Sequence, residues 1–165
     1  MSDQMNLATA LEFAITTEQQ GAVFYDVMSK KYADNPELAE LFSVLARDEE
    51  VHEFQFKKLR KELPPGEGPA MSKPDQDYLQ ALAYTRFFSG EREPAQVAEM
   101  MSVQDGLRRA YQLEQAAILF YTSLKDSLGD SAVLDAIIAT EKQHLMKVMQ
   151  YMITGAKMRG LLDDH

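Results

Sequence analysis

Apolar side chains recur at intervals of three and four residues along four long stretches of the chain, and this spacing predicts four long α-helices. Their expected limits are residues 7–31, about 36–63, 103–128 and about 132–153. A shorter helix is expected from Tyr78 to Phe88, between the second and third long helices. No stretch shows the alternation of apolar and polar residues that is typical of a β-strand. The pattern therefore predicts an all-α protein.

The lengths of the connections predict how these helices are arranged. The first and second helices, like the third and fourth, are joined by only a few residues, which makes each pair antiparallel. A connection of roughly 40 residues separates the second helix from the third, and it is long enough to run the length of a bundle. We therefore expect a ferritin-like four-helix bundle with a long connection that carries a short extra helix, forming one domain over residues 1–165.

The second half of the chain repeats polar residues of the first half. The first and third helices each carry a Glu that is followed six and seven residues later by Phe-Tyr, and the second and fourth each carry Glu-x-x-His. The repeated residues are Glu18 and Tyr25 against Glu114 and Tyr121, and Glu49 and His52 against Glu141 and His144. Positions three apart differ by about 60° around a helix axis, so the Glu and His of each motif share one face.

These glutamates and histidines interrupt the apolar stripes, so we expect them to point into the bundle core. Four ionised carboxylates in a core are very unfavourable, so either the carboxyl groups take up protons or cations lie among them. Two divalent ions would balance four carboxylates, and this oxygen- and nitrogen-rich ligand set suits iron or manganese better than calcium or a structural zinc. One Glu-x-x-His alone is more often a surface pair or a hydrogen-bonded core histidine. Two such motifs within a repeat favour a dinuclear metal site.

Two tyrosines and three acidic residues lie beside these motifs. Seven residues bring a side chain back to within about 20° of the same direction, so Tyr25 and Tyr121 are expected close to the site, where each can donate a hydrogen bond. A role in redox chemistry and a role as buried packing residues both remain open for them. Asp48, Glu50 and Glu53 are interpreted as solvated neighbours, because their angular positions point away from the apolar stripe.

Composition and charge exclude several classes of function. The chain has no Cys, which excludes disulfides, Cys-bound zinc, iron–sulfur clusters and cysteine nucleophiles. The formal net charge of −9 argues against nucleic acid as a partner. No stretch approaches the roughly 20 continuous apolar residues that cross a bilayer, so no membrane partner is expected. The N-terminus does not resemble a secretory signal, and we expect a cytoplasmic protein.

This combination of Glu-x-x-His motifs and Phe-Tyr pairs resembles the ferritin-like di-iron family, most closely its rubrerythrin branch, over almost the whole chain. The ligands implied by the resemblance are the terminal Glu18 and Glu114, the histidines His52 and His144 with one metal each, and the bridging Glu49 and Glu141. The resemblance also implies oxidoreductase chemistry with peroxide or dioxygen, or oxidation of ferrous iron. It further implies assembly into homodimers or larger oligomers.

Two departures from the rubrerythrin pattern limit what the resemblance implies. Classical rubrerythrins carry a rubredoxin domain with Cys-x-x-Cys pairs that delivers electrons, and a chain without Cys needs a separate donor such as rubredoxin. They also carry an extra carboxylate three residues after the third-helix ligand, where this chain has Ala117. We expect a di-iron oxidoreductase that acts on peroxide or dioxygen. An iron-storage protein with a ferroxidase centre and a non-catalytic bundle stabilised by metal remain alternatives.

Overall fold

The computed structural model describes residues 5–63, 71–86 and 93–163, and within these ranges it contains six helices and no strand. The helices are α1 (Leu7–Lys31), α2 (Pro36–Glu62), α3 (Lys73–Arg86), α4 (Pro94–Met100), α5 (Val103–Leu128) and α6 (Ala132–Asp163). The all-α prediction is confirmed, and α1, α2 and α5 match their expected limits closely.

Hydrogen bonds from backbone N–H groups to side chains explain where the long helices begin. Each of the four starts after a residue whose side-chain oxygen accepts a hydrogen bond from the backbone N–H three residues further on, which satisfies a group that the helix itself leaves unpaired. These capping residues are Asn6, Asn35, Ser102 and Ser131. Gly129 ends α5 with a φ of 87°, a left-handed conformation that glycine adopts without steric strain.

The long connection contains more helix than the sequence pattern predicts. α3 begins at Lys73 instead of Tyr78, because the Ser72 hydroxyl caps it and Pro74 is tolerated in a first turn. The expected end of this helix at residues 87–88 lies outside the described residues. α4 was not expected at all; it is only seven residues long and also begins at a proline.

α6 is longer than the apolar pattern predicts. It continues from the expected end at Ile153 to Asp163. The sequence after Ile153 contains Gly155 and Gly160 but no proline. A glycine inside a helix costs about 1 kcal/mol relative to alanine, so two glycines weaken this helix without ending it.

Contacts between α1 and α2 show that these two helices are antiparallel. At one end of the pair the Arg60 guanidinium lies 3.3 Å from a carboxylate oxygen of Glu12. At the other end the Ser29 hydroxyl donates a hydrogen bond of 3.0 Å to the carbonyl of Ala39. The short loop between the two helices therefore makes the hairpin that its length predicts.

Contacts between α1 and α5 fix the direction of α5. Tyr25 contacts Glu114, while Tyr121 contacts Glu18, so α1 and α5 are antiparallel. Because α1 is antiparallel to both α2 and α5, those two helices run in the same direction, as the long connection predicts. α6 packs against both α5 and α2 and completes the four-helix bundle.

The two short helices of the connection are attached to the outside of the bundle. The Lys31 ammonium donates hydrogen bonds of 3.3, 2.7 and 2.6 Å to the carbonyls of Ala98, Glu99 and Met101, which ties α4 to the end of α1. α3 packs against α5 and buries Leu79 completely. In the described part of the chain, no helix is long and apolar enough to cross a membrane.

The core of the bundle is apolar except at one level. The apolar part of the core fully buries four phenylalanines, which are Phe24, Phe42, Phe56 and Phe120. The polar and charged residues that are buried among the described ones are Thr17, Glu18, Glu49, His52, Glu114, Glu141 and His144. The prediction that the six repeated glutamates and histidines point inward is thereby confirmed.

Candidate metal centre

The six buried glutamates and histidines meet where the four long helices pack together. They form two overlapping groups, and within each group one ligand atom per residue lies within 4.8 Å of all the others. One group is Glu18, Glu49, His52 and Glu141, and the other is Glu49, Glu114, Glu141 and His144. Glu49 and Glu141 belong to both groups, whereas each group has one histidine and one further glutamate of its own.

Both histidines direct the same ring atom into this cluster. Nδ1 of His52 lies 2.8 Å from Oε1 of Glu141 and 3.6 Å from Oε2 of Glu18. Nδ1 of His144 lies 3.4 Å from Oε2 of Glu114 and 3.5 Å from Oε2 of Glu141. The two rings are 6.0 Å apart between centroids, so the histidines occupy matching positions on either side of Glu141.

Six buried atoms of the cluster make no hydrogen bond. They are Oε2 of Glu18, Oε2 of Glu114, both carboxylate oxygens of Glu141, and Nδ1 of His52 and of His144. A buried polar atom without a hydrogen-bond partner costs about 1–3 kcal/mol, so six of them around one centre favour a bound group that contacts them all. Carboxylate oxygens and imidazole nitrogens are ligands of divalent iron, manganese and zinc. The residues therefore fit a pair of metal ions.

The pKa values of the metal-free side chains also indicate that the cluster needs positive charge. Burial raises the pKa of Glu49 well above its usual range, and the charge of Glu18 raises it further. Burial by itself lowers the pKa of His52, but the contacts with Glu141 and Glu18 outweigh it and raise the pKa to about 10. The pKa of His144 rises to about 11, since contacts with two glutamates likewise outweigh its burial. The cluster therefore retains protons at neutral pH that bound cations would displace.

Each tyrosine beside the cluster donates a hydrogen bond to a glutamate of the other half of the chain. The Tyr25 hydroxyl donates to Oε1 of Glu114 at 2.6 Å, and the Tyr121 hydroxyl donates to Oε1 of Glu18. Sequence spacing places each tyrosine near the glutamate of its own helix, and the structure adds that the bonds cross between α1 and α5. Burial, followed by the charge of the accepting glutamate, raises the pKa of both hydroxyls, so both stay protonated donors.

The interpretation of Asp48 as a solvated neighbour is wrong. One of its carboxylate oxygens lies 2.8 Å from Nε2 of His144, although the side chain is still 38% exposed. The available signal was its position four residues before His52, which puts both side chains on the part of α2 that faces α6. Glu50 is exposed as expected, whereas the Glu53 side chain is only 20% exposed and accepts hydrogen bonds from Lys57 and from Gln19 of α1.

A small cavity lies beside the carboxylates, between α1 and α5. It is lined by Glu18, Glu49, Glu114, both tyrosines and the small residues Gly21 and Ala117, among others. Its volume of about 20 Å³ has room for about one or two water-sized molecules. Gly21 and Ala117 occupy matching positions in the repeat, three residues after Glu18 and Glu114. A Cβ atom on Gly21 would lie 3.2 Å from Oε2 of Glu49, so glycine provides room for that carboxylate.

Comparisons with known proteins agree with this architecture. The sequence profile of the family described as Rubrerythrin matches residues 9–152. A solved structure from Thermotoga maritima, assigned to the ferritin-like diiron-carboxylate proteins, shares the fold with a TM-score of 0.64 and 22% sequence identity. The match covers 91% of this chain and 96% of that chain. No curated protein matches the chain.

Proposed function

Because the chain belongs to the rubrerythrin family, we propose that it is a di-iron oxidoreductase that reduces peroxide or dioxygen. One observation carries this proposal: two overlapping groups of buried carboxylates and histidines contain six atoms that have no hydrogen-bond partner. The family supports iron as the metal, and the ligand chemistry allows manganese or zinc as well.

The proposal gives each residue of the cluster a role. Glu49 and Glu141 would bridge the two ions, since both belong to both groups. Glu18 and His52 would complete one metal position, and Glu114 and His144 would complete the other. Each position would then have one carboxylate and one imidazole of its own in addition to the bridges.

The chain's own residues would position the ligands and admit the oxidant. Two bound ferrous ions would together supply two electrons to one molecule of oxidant. Tyr25 and Tyr121 hold one oxygen of Glu114 and Glu18, which leaves the other oxygen directed at the centre. The cavity of about 20 Å³ has room for an oxidant of the size of peroxide or dioxygen.

Turnover requires an electron donor outside this chain, because the sequence contains no Cys to hold a second iron centre. We expect the reduced, iron-loaded protein to be oxidised once, with one molecule of peroxide consumed per site, and then to stop. Repeated cycles are expected only when a donor such as rubredoxin and its reductase are added. Stopped-flow absorption spectroscopy with peroxide and with air measures both phases.

Two results of that experiment would contradict the proposal in different ways. Continuous oxidation of excess ferrous iron with retention of the product as mineral would identify an iron-storage protein. An unchanged absorption spectrum with both oxidants would mean that the metal serves the stability of the bundle only.

Gly21→Ala tests whether the space beside Glu49 is needed for metal binding. The added methyl group would crowd Oε2 of Glu49 at 3.2 Å, so we expect metal affinity to fall about tenfold or more. The matched control is Ala117→Gly, which removes a methyl group from the same cavity and crowds nothing. Metal titration followed by calorimetry compares the two variants. Equal affinities in Gly21→Ala and the unchanged protein would show that Glu49 does not need this space.

A further inference from the structure

The two halves of the internal repeat differ at the position directly before each Glu-x-x-His motif. Asp48 directly precedes the Glu-x-x-His motif of α2, and Thr140 directly precedes the motif of α6. Asp48 faces His144 across the bundle, and the same relation of the repeat would make Thr140 face His52. The two histidines therefore have matching glutamate contacts at Nδ1 but different residues facing Nε2.

Asp48 fixes the ring of His144. Its carboxylate oxygen lies 2.8 Å from Nε2, and a carboxylate only accepts hydrogen bonds, so Nε2 is the donor. The hydrogen bond sets both the ring orientation and the position of the proton, and it leaves Nδ1 directed at Glu114 and Glu141. A histidine held in this way is prepared for a metal ion.

Thr140 gives no such support to His52. Its hydroxyl donates a hydrogen bond of 3.0 Å to the carbonyl of Ala136, within its own helix. Among the described residues, none hydrogen-bonds to Nε2 of His52. Its polar contacts with the described residues are made through Nδ1, to Glu141 and Glu18, and those are the contacts that a bound ion would replace.

We propose that Asp48 is a positioning residue that makes the two metal positions unequal, so that the position of His144 and Glu114 fills before that of His52 and Glu18. Loss of the hydrogen-bond partner of a metal-binding histidine typically lowers affinity about 10- to 100-fold, and we expect the two positions to differ by that factor. This inference rests on the proposed dinuclear site, and it adds an order of loading to it.

Titration of the metal-free protein with Mn²⁺ tests the proposal. Calorimetry is expected to show two binding steps that differ about 10- to 100-fold in affinity. Electron paramagnetic resonance is expected to show an isolated ion after one equivalent and a spin-coupled pair after two. Two steps of equal affinity would overturn the inference, and so would a spin-coupled pair as the main species at one equivalent.

Three variants separate positioning from a general effect on folding. Asp48→Ala should weaken the first step about 10- to 100-fold and make the two steps nearly equal, and Asp48→Asn should recover part of the difference because its amide oxygen still accepts a hydrogen bond. Thr140→Asp should strengthen the second step by giving His52 the missing partner. Equal weakening of both steps by Asp48→Ala, or no recovery with Asp48→Asn, would overturn the role of Asp48.

The titration also separates failure of this inference from failure of the proposed function. If the unchanged protein binds no Mn²⁺, Fe²⁺ or Zn²⁺, the proposed function itself fails. Two binding steps of equal affinity overturn only the order of loading.

Discussion

Mn²⁺ added to the metal-free protein is expected to raise the unfolding temperature by about 15–30 °C, because two ions at 1,000 times their dissociation constant contribute about 4 kcal/mol each and each kcal/mol is worth about 2–4 °C. This metal-induced increase in unfolding temperature should be larger at higher pH. The pKa values of His52 and His144 are about 10 and about 11 in the metal-free fold, against 6.5 for the unperturbed side chain. Between pH 6.5 and these raised pKa values, the folded protein binds protons that the unfolded chain releases. The free energy of unfolding of the metal-free protein therefore falls as the pH rises, by up to about 1.4 kcal/mol per pH unit for each histidine.

The raised pKa values of Glu49 and Glu114 act in the same direction above the usual range of a carboxyl group. Bound metal takes the place of these protons, so the metal-loaded protein should lose much less stability over the same pH range. Differential scanning calorimetry between about pH 6.5 and about pH 9, with and without Mn²⁺, measures the difference. The exposed Glu50→Ala variant is the control and should behave like the unchanged protein. A metal-free protein whose stability is constant or rises over this range would contradict the expectation.

Replacement of Glu141 by Ala is expected to remove both metal ions, whereas His52→Ala should weaken one ion preferentially. Glu141 belongs to both ligand groups, and neither of its oxygens has a hydrogen-bond partner. Loss of a direct ligand shared by two ions should cost more than the 10- to 100-fold that follows from loss of a histidine's partner. Metal content per chain, measured after dialysis against buffered Mn²⁺, distinguishes the two variants.

Glu50→Ala again provides the matched control, since that residue is an exposed glutamate of α2. A circular dichroism spectrum of each variant shows whether the bundle still folds. If Glu141→Ala binds one ion with unchanged affinity, Glu141 does not bridge. In that case Glu49 is the only remaining residue that both groups share.

The sequence predicts the long helices because each signal is local. A cap such as Asn35 or Ser102 acts within three residues of its own position, and an apolar stripe depends only on the spacing along one helix. Glu-x-x-His belongs to the same class, because three residues bring two side chains to one face whatever the rest of the chain does. These features could therefore be predicted without knowledge of the partner helices.

The features that could not be predicted depend on contacts between helices. Tyr25 could be placed near the site, but its acceptor belongs to α5, and no spacing within α1 identifies that helix. Asp48 is partly exposed and gains its role only because α6 brings His144 to it. α4 is too short to show a periodic pattern and is held by a lysine of α1.

The crossed tyrosine bonds connect two halves that are built alike. The donor of each half bonds to the acceptor of the other, which is the arrangement found where two identical subunits meet across a two-fold axis. In such a pair of identical chains, every substitution would appear twice and would change both ends of the interface at once. Here both copies lie on one chain, so each end can change alone. This protein can therefore differ between its two halves, as it does with Asp48 against Thr140 and Gly21 against Ala117. A symmetric pair of identical hairpins could not carry such differences.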